Sequence, residues 1–335
     1  MAARASGSPG SRVTATESKW DTPCRKINFV ICSKSNRYRG DVTSLQFPGN
    51  ASRTAFTAAA ARAAHLLVDT EPYLFTDSLA ATLLGAQAAD LLVYHKLHGT
   101  HPVLASARAE ALCRSRFTEE RLSHSGIDQY VILGAGLDSF AYRTPAGRFR
   151  VFEVDHPATQ VVKRELLAAA GIAEPPSVTF VAADFEADPL RERLVQSGLD
   201  PFRPVFVSWL GVTMYLTREA IAATLTDLGR FAPGSEIVAD HLLPAELRDA
   251  AGNGYAEAVG AVAADGGEPW HTVLSPAAFA DLLGAAGFEV VEQAGQRESV
   301  APALWNRTDA LRPAALSALA HARIPAQPGK TAAGS

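Results

Sequence analysis

From residue 129 onward, short apolar runs alternate with longer mixed stretches, at 130–133, 149–154, 178–182, 204–210 and 235–240. Runs of four to eight apolar residues without strict alternation are what strands buried on both faces look like, and such strands belong to parallel sheets with helices packed on each side. The pattern therefore predicts a right-handed parallel α/β sandwich. Beyond it, 276–286 reads as a helix closing on Gly287 and 288–293 as another strand, with 299–304 expected to pair antiparallel beside it. Upstream, 52–68 is alanine-rich behind Ser52, a suitable N-cap, and 77–84 and 102–123 read as two further helices, the second entered through Pro102. These three form a helical cap ahead of the sheet. The Ala- and Gly-rich stretch 244–267 predicts one more helical insertion, near the substrate.

One stretch organises the rest. The run Tyr130-Val131-Ile132-Leu133 breaks into Gly134-Ala135-Gly136, and Asp138 follows two positions later. Glycines at a strand end remove side chains where a ligand must approach the backbone, and the next helix is expected to start at about Leu137 or Asp138. Roughly twenty residues on, the second strand ends at Glu153-Val154-Asp155, where doubly wound folds place the carboxylate that grips ribose hydroxyls. Glu153 lies two residues before Asp155 on the same strand face and stands in for it if the register is shifted. A third glycine is missing because Ser139 occupies its place. That disfavours a dinucleotide, whose pyrophosphate needs an unobstructed helix N-terminus. Asp138 would repel phosphate there but attract a cation. The pocket thus reads as one for a positively charged nucleoside, and S-adenosyl-L-methionine fits.

Composition narrows the partners. The chain has 335 residues, 47% hydrophobic and 20% charged, with a net charge of -4. That is enough to bury a large core, and it carries no electrostatic footprint for nucleic acid or an anionic membrane. A small-molecule partner is the default. Every apolar segment is interrupted well before the roughly 20 residues a membrane span needs. Cys24, Cys32 and Cys113 show no CxxC and no metal spacing with the histidines, so neither a disulfide nor a metal site is expected and a cytoplasmic setting is. Residues 1–50 differ in composition from the rest of the chain and read as a disordered or non-homologous extension, although their Arg- and Ser-rich, acid-poor character also fits a transit peptide. The polar tail, 326–335, reads as mobile.

Four motifs in fixed order carry a family resemblance: QYVILGAGLDSFAYR, VFEVDHPATQVVK, AADF and GVTMYLT. With them the chain resembles the leucine carboxyl methyltransferase family, and most of all that family's bacterial branch of S-adenosyl-L-methionine-dependent O-methyltransferases, over about 52–312. The resemblance implies a Rossmann-like class I methyltransferase sandwich with a seven-stranded, mostly parallel sheet (127–325) behind an N-terminal helical cap (51–126). It implies S-adenosyl-L-methionine as cofactor and a small organic acid or hydroxylated metabolite as methyl acceptor; the sequence does not give the oligomeric state, and a homodimer stays open. By motif position, Gly134 and Gly136 receive the amino-acid part and ribose of the cofactor, and Asp155 holds the ribose hydroxyls. Asp184 then meets the adenine amino group, and Phe185 offers a backbone donor and an apolar face. Arg114 corresponds to the arginine that pairs with the methionine carboxylate, with Arg108 and Arg116 as competitors and a solvated helical face as the plain alternative. Relatives usually carry glutamate where Leu210 stands, which puts the affinity or pose of the cofactor in question.

A carboxylate acceptor is already ionised and needs no general base, whereas a hydroxyl does. His156, His241 and Asp240 stand at strand ends as candidates, His241 first, and Tyr215 can place a hydroxyl near the acceptor. Two rivals remain on the sequence: a nicotinamide-dependent oxidoreductase, and a methyltransferase-like binding module that has lost catalysis, for which Leu210 is the support.

Overall fold

The five apolar runs become β1 (Gln129–Leu133), β2 (Arg150–Asp155), β3 (Val178–Ala182), β4 (Val205–Trp209) and β5 (Glu236–Leu242) in a computed structural model that describes residues 52–265 and 267–326. With β6 (Glu289–Ala294) and β7 (Ser317–Arg323) they form one sheet in the order β3-β2-β1-β4-β5-β7-β6. The first five are parallel, and β7 runs antiparallel between β5 and β6. Every residue of β1 and β4 is buried. The two-residue period divides them cleanly: Val131 and Leu133 face one core with Val207 and Trp209, while Tyr130 and Ile132 face the other with Phe206 and Phe117. Chain order reverses between β1 and β4, which opens a crevice at their carboxyl ends.

The helices among the described residues are α1 (Arg53–Val68), α2 (Ala80–Leu83), α3 (Ala88–His98), α4 (Pro102–Ser125), α5 (Phe140–Arg143), α6 (Pro157–Ala169), α7 (Leu190–Gln196), α8 (Arg218–Leu228), α9 (Ala250–Asp265) and α10 (Pro276–Ala285). Ser52 caps α1 by accepting from the Ala55 N–H at 3.2 Å, and α1 packs across α2, α3 and α4. Two buried ion pairs tie this cap together and to the sheet. Arg108 grips Asp69 through two hydrogen bonds of 2.8 and 2.9 Å. Arg62 donates to Asp77 and to the carbonyl of Leu137, just past the glycine turn.

Several expectations need correction. The stretch 299–304 forms no strand: it holds a short 3-10 turn at Pro302–Trp305, and the antiparallel partner is β7. Pro302 lacks a ladder donor, while alanines at 318, 320 and 322 gave β7 little strand signature despite full burial. The helix expected over 77–84 shrinks to α2 because the Asp77 carboxylate caps it late, accepting from Leu79 and Ala80 N–H groups. After a 3-10 turn at Gly85–Gln87 the chain continues as α3, which the pattern did not predict. The helix after the glycine turn starts at Phe140 rather than at 137 or 138 and lasts one turn. Residues 1–50 and all of the tail but Ala326 lie outside the described residues.

Candidate cofactor and acceptor site

The crevice at the ends of β1 and β4 is a cavity of about 480 Å³, roofed by α1, α4 and α9. At its floor Gly134 adopts φ +68°, and a Cβ there would lie 2.3 Å from Val212 Cγ2. Gly136 has φ +45°, with Ala55 of α1 3.0 Å from where its Cβ would stand. Only glycine satisfies both the backbone and the space here. The Gly134 and Ala135 N–H groups donate to the Val154 carbonyl, which stitches the turn to β2.

Asp155 sits at the end of β2 with its carboxylate across the turn: Oδ2 accepts from Gly136 N–H at 2.6 Å and Oδ1 from His156 N–H at 2.7 Å. Burial pushes its pKa up while these two N–H groups pull it down. The Thr159 hydroxyl also bonds the carboxylate, which keeps acceptor capacity for a diol. Glu153, offered by the sequence as an alternative, turns elsewhere: its carboxylate is 2.6 Å from Lys163 Nζ, both buried, and it does not line the cavity. Burial raises Glu153 to about 7 although Lys163 opposes the shift.

Arg114 reaches the cavity from α4, held by Asp240 at 3.3 Å and packed against Gly211, where a Cβ would meet its guanidinium at 2.6 Å. Its competitors are engaged elsewhere, Arg108 on Asp69 and Arg116 on the Leu74 carbonyl and Glu120. Asp138 lines the cavity and accepts from Phe140 N–H at 2.7 Å. Asp184 also lines it, though its Oδ1 closes a turn on Glu186 N–H at 2.9 Å and the side chain is exposed. Phe185 stands beside it, half-buried, 6.3 Å from the core ring of Trp209. Leu210 lines the cavity and packs against the core that contains Tyr130 and Ile132.

His241 departs from the sequence expectation. It faces away from the cavity, with Nδ1 2.9 Å from the Leu274 carbonyl and its ring 4.6 Å from Phe279. Burial lowers its pKa to about 4. The strand period explains this, since Leu242 takes the cavity side of β5 and its neighbour must point opposite. Asp240 is also fully buried, locked by Gly211 N–H at 2.7 Å and Arg114, and burial raises it to about 6. His156 uses Nδ1 to cap α6 at the cavity rim, accepting from Ala158 N–H. Tyr215 does line the cavity, with the Trp270 indole and Thr54 as polar neighbours and burial raising its phenol.

The sequence reading missed the opposite wall: Thr54 and Ala55 of α1, Glu110 of α4, Tyr255 of α9, and Glu268 and Trp270 beyond it. No local motif marks them, because each joins the cavity only through packing of the cap and insertion onto the sheet. Met214, Leu242 and Leu316 complete an apolar cluster with Tyr215, Tyr255 and Trp270.

Sheet order, glycine turn and strand-end carboxylate together define a class I methyltransferase fold. A methyltransferase-like structure from Thermobifida fusca superposes with a TM-score of 0.51 at 21% identity, covering 79% of this chain and 98% of that one, which supports the fold alone. The family model for leucine carboxyl methyltransferase matches residues 55–229, and the chain belongs to that family. YktD of Bacillus subtilis, named as a candidate S-adenosyl-L-methionine-dependent methyltransferase, is 35% identical over 187 residues, 54% of this chain and 61% of that protein. A Mycobacterium avium protein of the same description is 33% identical over 229 residues, 62% of this chain and 70% of that one. S-adenosyl-L-methionine is accordingly the cofactor, and the cavity suits it: the glycine turn lines its floor and Asp155 presents two fixed oxygens there.

Proposed function

We propose that the chain is an O-methyltransferase that transfers a methyl group to a carboxylate or hydroxyl of a small organic metabolite, working in the cytoplasm. The observation that carries this reading is one continuous cavity with the glycine turn and Asp155 at one end and the wall of Tyr215, Tyr255 and Trp270 at the other. Arg114 would hold the methionine carboxylate, Asp155 the ribose diol, and Asp184 with Phe185 the adenine. Bound there, the cofactor supplies a methyl already activated by a sulfonium. The chain's own task is to align the acceptor oxygen and keep water out, which the apolar cluster around Met214 and Leu316 suits. Arg114 stays cationic beside Asp240, so it can balance a ligand carboxylate while remaining fixed in place.

Incubation with methyl-labelled cofactor and a panel of small carboxylic acids and hydroxyl compounds tests this reading. The expected result is label in a base-labile ester or a base-stable ether. Cofactor binding without transfer to any acceptor would favour a binding module instead, for which Leu210 at the cavity wall is the feature in support.

A further inference from the structure

We infer that, within the proposed methyltransferase site, the acceptor is a neutral aromatic hydroxyl compound rather than a carboxylate. The charges of the cavity wall lead there. Its two arginines are both spoken for once the cofactor is bound: Arg62 by Asp77 and the Leu137 carbonyl, and Arg114 by Asp240 together with the cofactor's own carboxylate. At the end lined by Tyr215, Tyr255 and Trp270 stand two carboxylates, Glu268 and Glu110, together with the Arg114 guanidinium, whose charge acts on both tyrosines. Glu110 is consumed structurally, accepting from Gln296 and Ser317 at 2.5 Å each. Glu268 is not: a single backbone donor, Thr54 N–H at 3.3 Å, meets its Oε2, and its charge acts on the Tyr215 phenol.

With Arg114 on the cofactor's carboxylate, an ionised acceptor carboxylate brought to this end would lose its water, meet like charge from Glu268 and find no further arginine or lysine in the cavity wall, so its desolvation would go uncompensated. A hydroxyl reverses the balance, because it can donate to Glu268 and accept from the Tyr215 hydroxyl, and a carboxylate cannot donate. Tyr255 and Trp270 add flat apolar surface, with Trp270 seated 3.4 Å from the Cβ direction of Gly260 on α9. Flat rings favour a planar aromatic body.

A matched pair decides the matter: calorimetric titration of 2-naphthol and 2-naphthoate into the full chain at pH 7.5, repeated on Glu268→Gln, with S-adenosylhomocysteine titrated into both proteins. The wild type is expected to bind the naphthol at least tenfold more tightly. In Glu268→Gln that preference should fall to threefold or less while S-adenosylhomocysteine affinity stays within twofold. Equal or tighter binding of the naphthoate by the wild type would overturn the inference. So would an unchanged preference in the variant, or loss of S-adenosylhomocysteine binding on that substitution, which would assign Glu268 to the cofactor. Absence of S-adenosylhomocysteine binding in the wild type alongside an intact naphthol preference would instead sink the methyltransferase reading and leave the charge argument standing.

Discussion

Gly134 and His241 show how single residues set the site and its limits. Gly134 combines a left-handed backbone with a neighbour 2.3 Å from any added Cβ, so Gly134→Ala strains both the turn and the contact with Val212. The expected cost is about 1–3 kcal/mol of stability, with at least a tenfold loss of S-adenosylhomocysteine affinity, read by denaturant melts and titration. His241 is buried and neutral, its pKa lowered from 6.5 to about 4. Between those values the unfolded chain holds a proton that the native chain lacks, so His241 subtracts stability as pH falls from about 6.5 toward 4. Asp240, raised from 3.8 to about 6, and Glu153, raised from 4.5 to about 7, work the other way: the native chain holds their protons longer, and stability falls as pH rises through those windows. These opposing groups flatten the whole-protein profile. His241→Phe removes one side of the balance, and the variant should gain about 2 kcal/mol relative to wild type between pH 6.5 and pH 5. Urea unfolding at the two pH values measures that difference, and an unchanged gap would mean that His241 titrates normally.

At the level of elements, how a segment packs decided what could be read in advance. β1 and β4 are buried on both faces, so their apolar runs were plain, and Ser52 marked the start of α1 through its cap. β7 was hidden because its core residues are mainly alanine, which fits a crowded sheet interior but has weak strand preference. α3 was hidden because its Leu91 and His95 are its only fully buried residues, leaving little amphipathic pattern. The glycine turn and Asp155 were legible as local chemistry at fixed spacing, whereas Arg114 was named only through the family resemblance, and it is the one of the three candidate arginines that lines the cavity. His241 was misjudged because a strand-end position does not say which way a side chain points. α1 also has a role no motif announced, since Ala55 closes over Gly136 and lines the cavity. Ala55→Leu should therefore cut S-adenosylhomocysteine affinity by at least tenfold while the melting temperature moves by only a few degrees. A large fall in melting temperature would place Ala55 in the core instead.

Across the whole molecule, the cavity draws on residues from Ser52 to Leu316, so its two ends differ in how far the sequence discloses them. The end proposed for the cofactor comes from three consecutive strand-to-helix connections, which is why it is legible as motifs. The end proposed for the acceptor is assembled from α1, α4, α9 and the loop carrying Glu268 and Trp270, elements far apart in the chain whose meeting depends on the complete fold. Among the described residues no helix is long and apolar enough to cross a membrane. The proposed function requires that Asp155 and the glycine turn form the cofactor end of that cavity. The measurement that tests it most directly is calorimetric titration of S-adenosyl-L-methionine and S-adenosylhomocysteine into wild type and Asp155→Ala. Saturable one-to-one binding by the wild type, weakened at least tenfold in the variant, is the expected result. Equal affinity in both proteins, or no binding by a folded wild type, would contradict it.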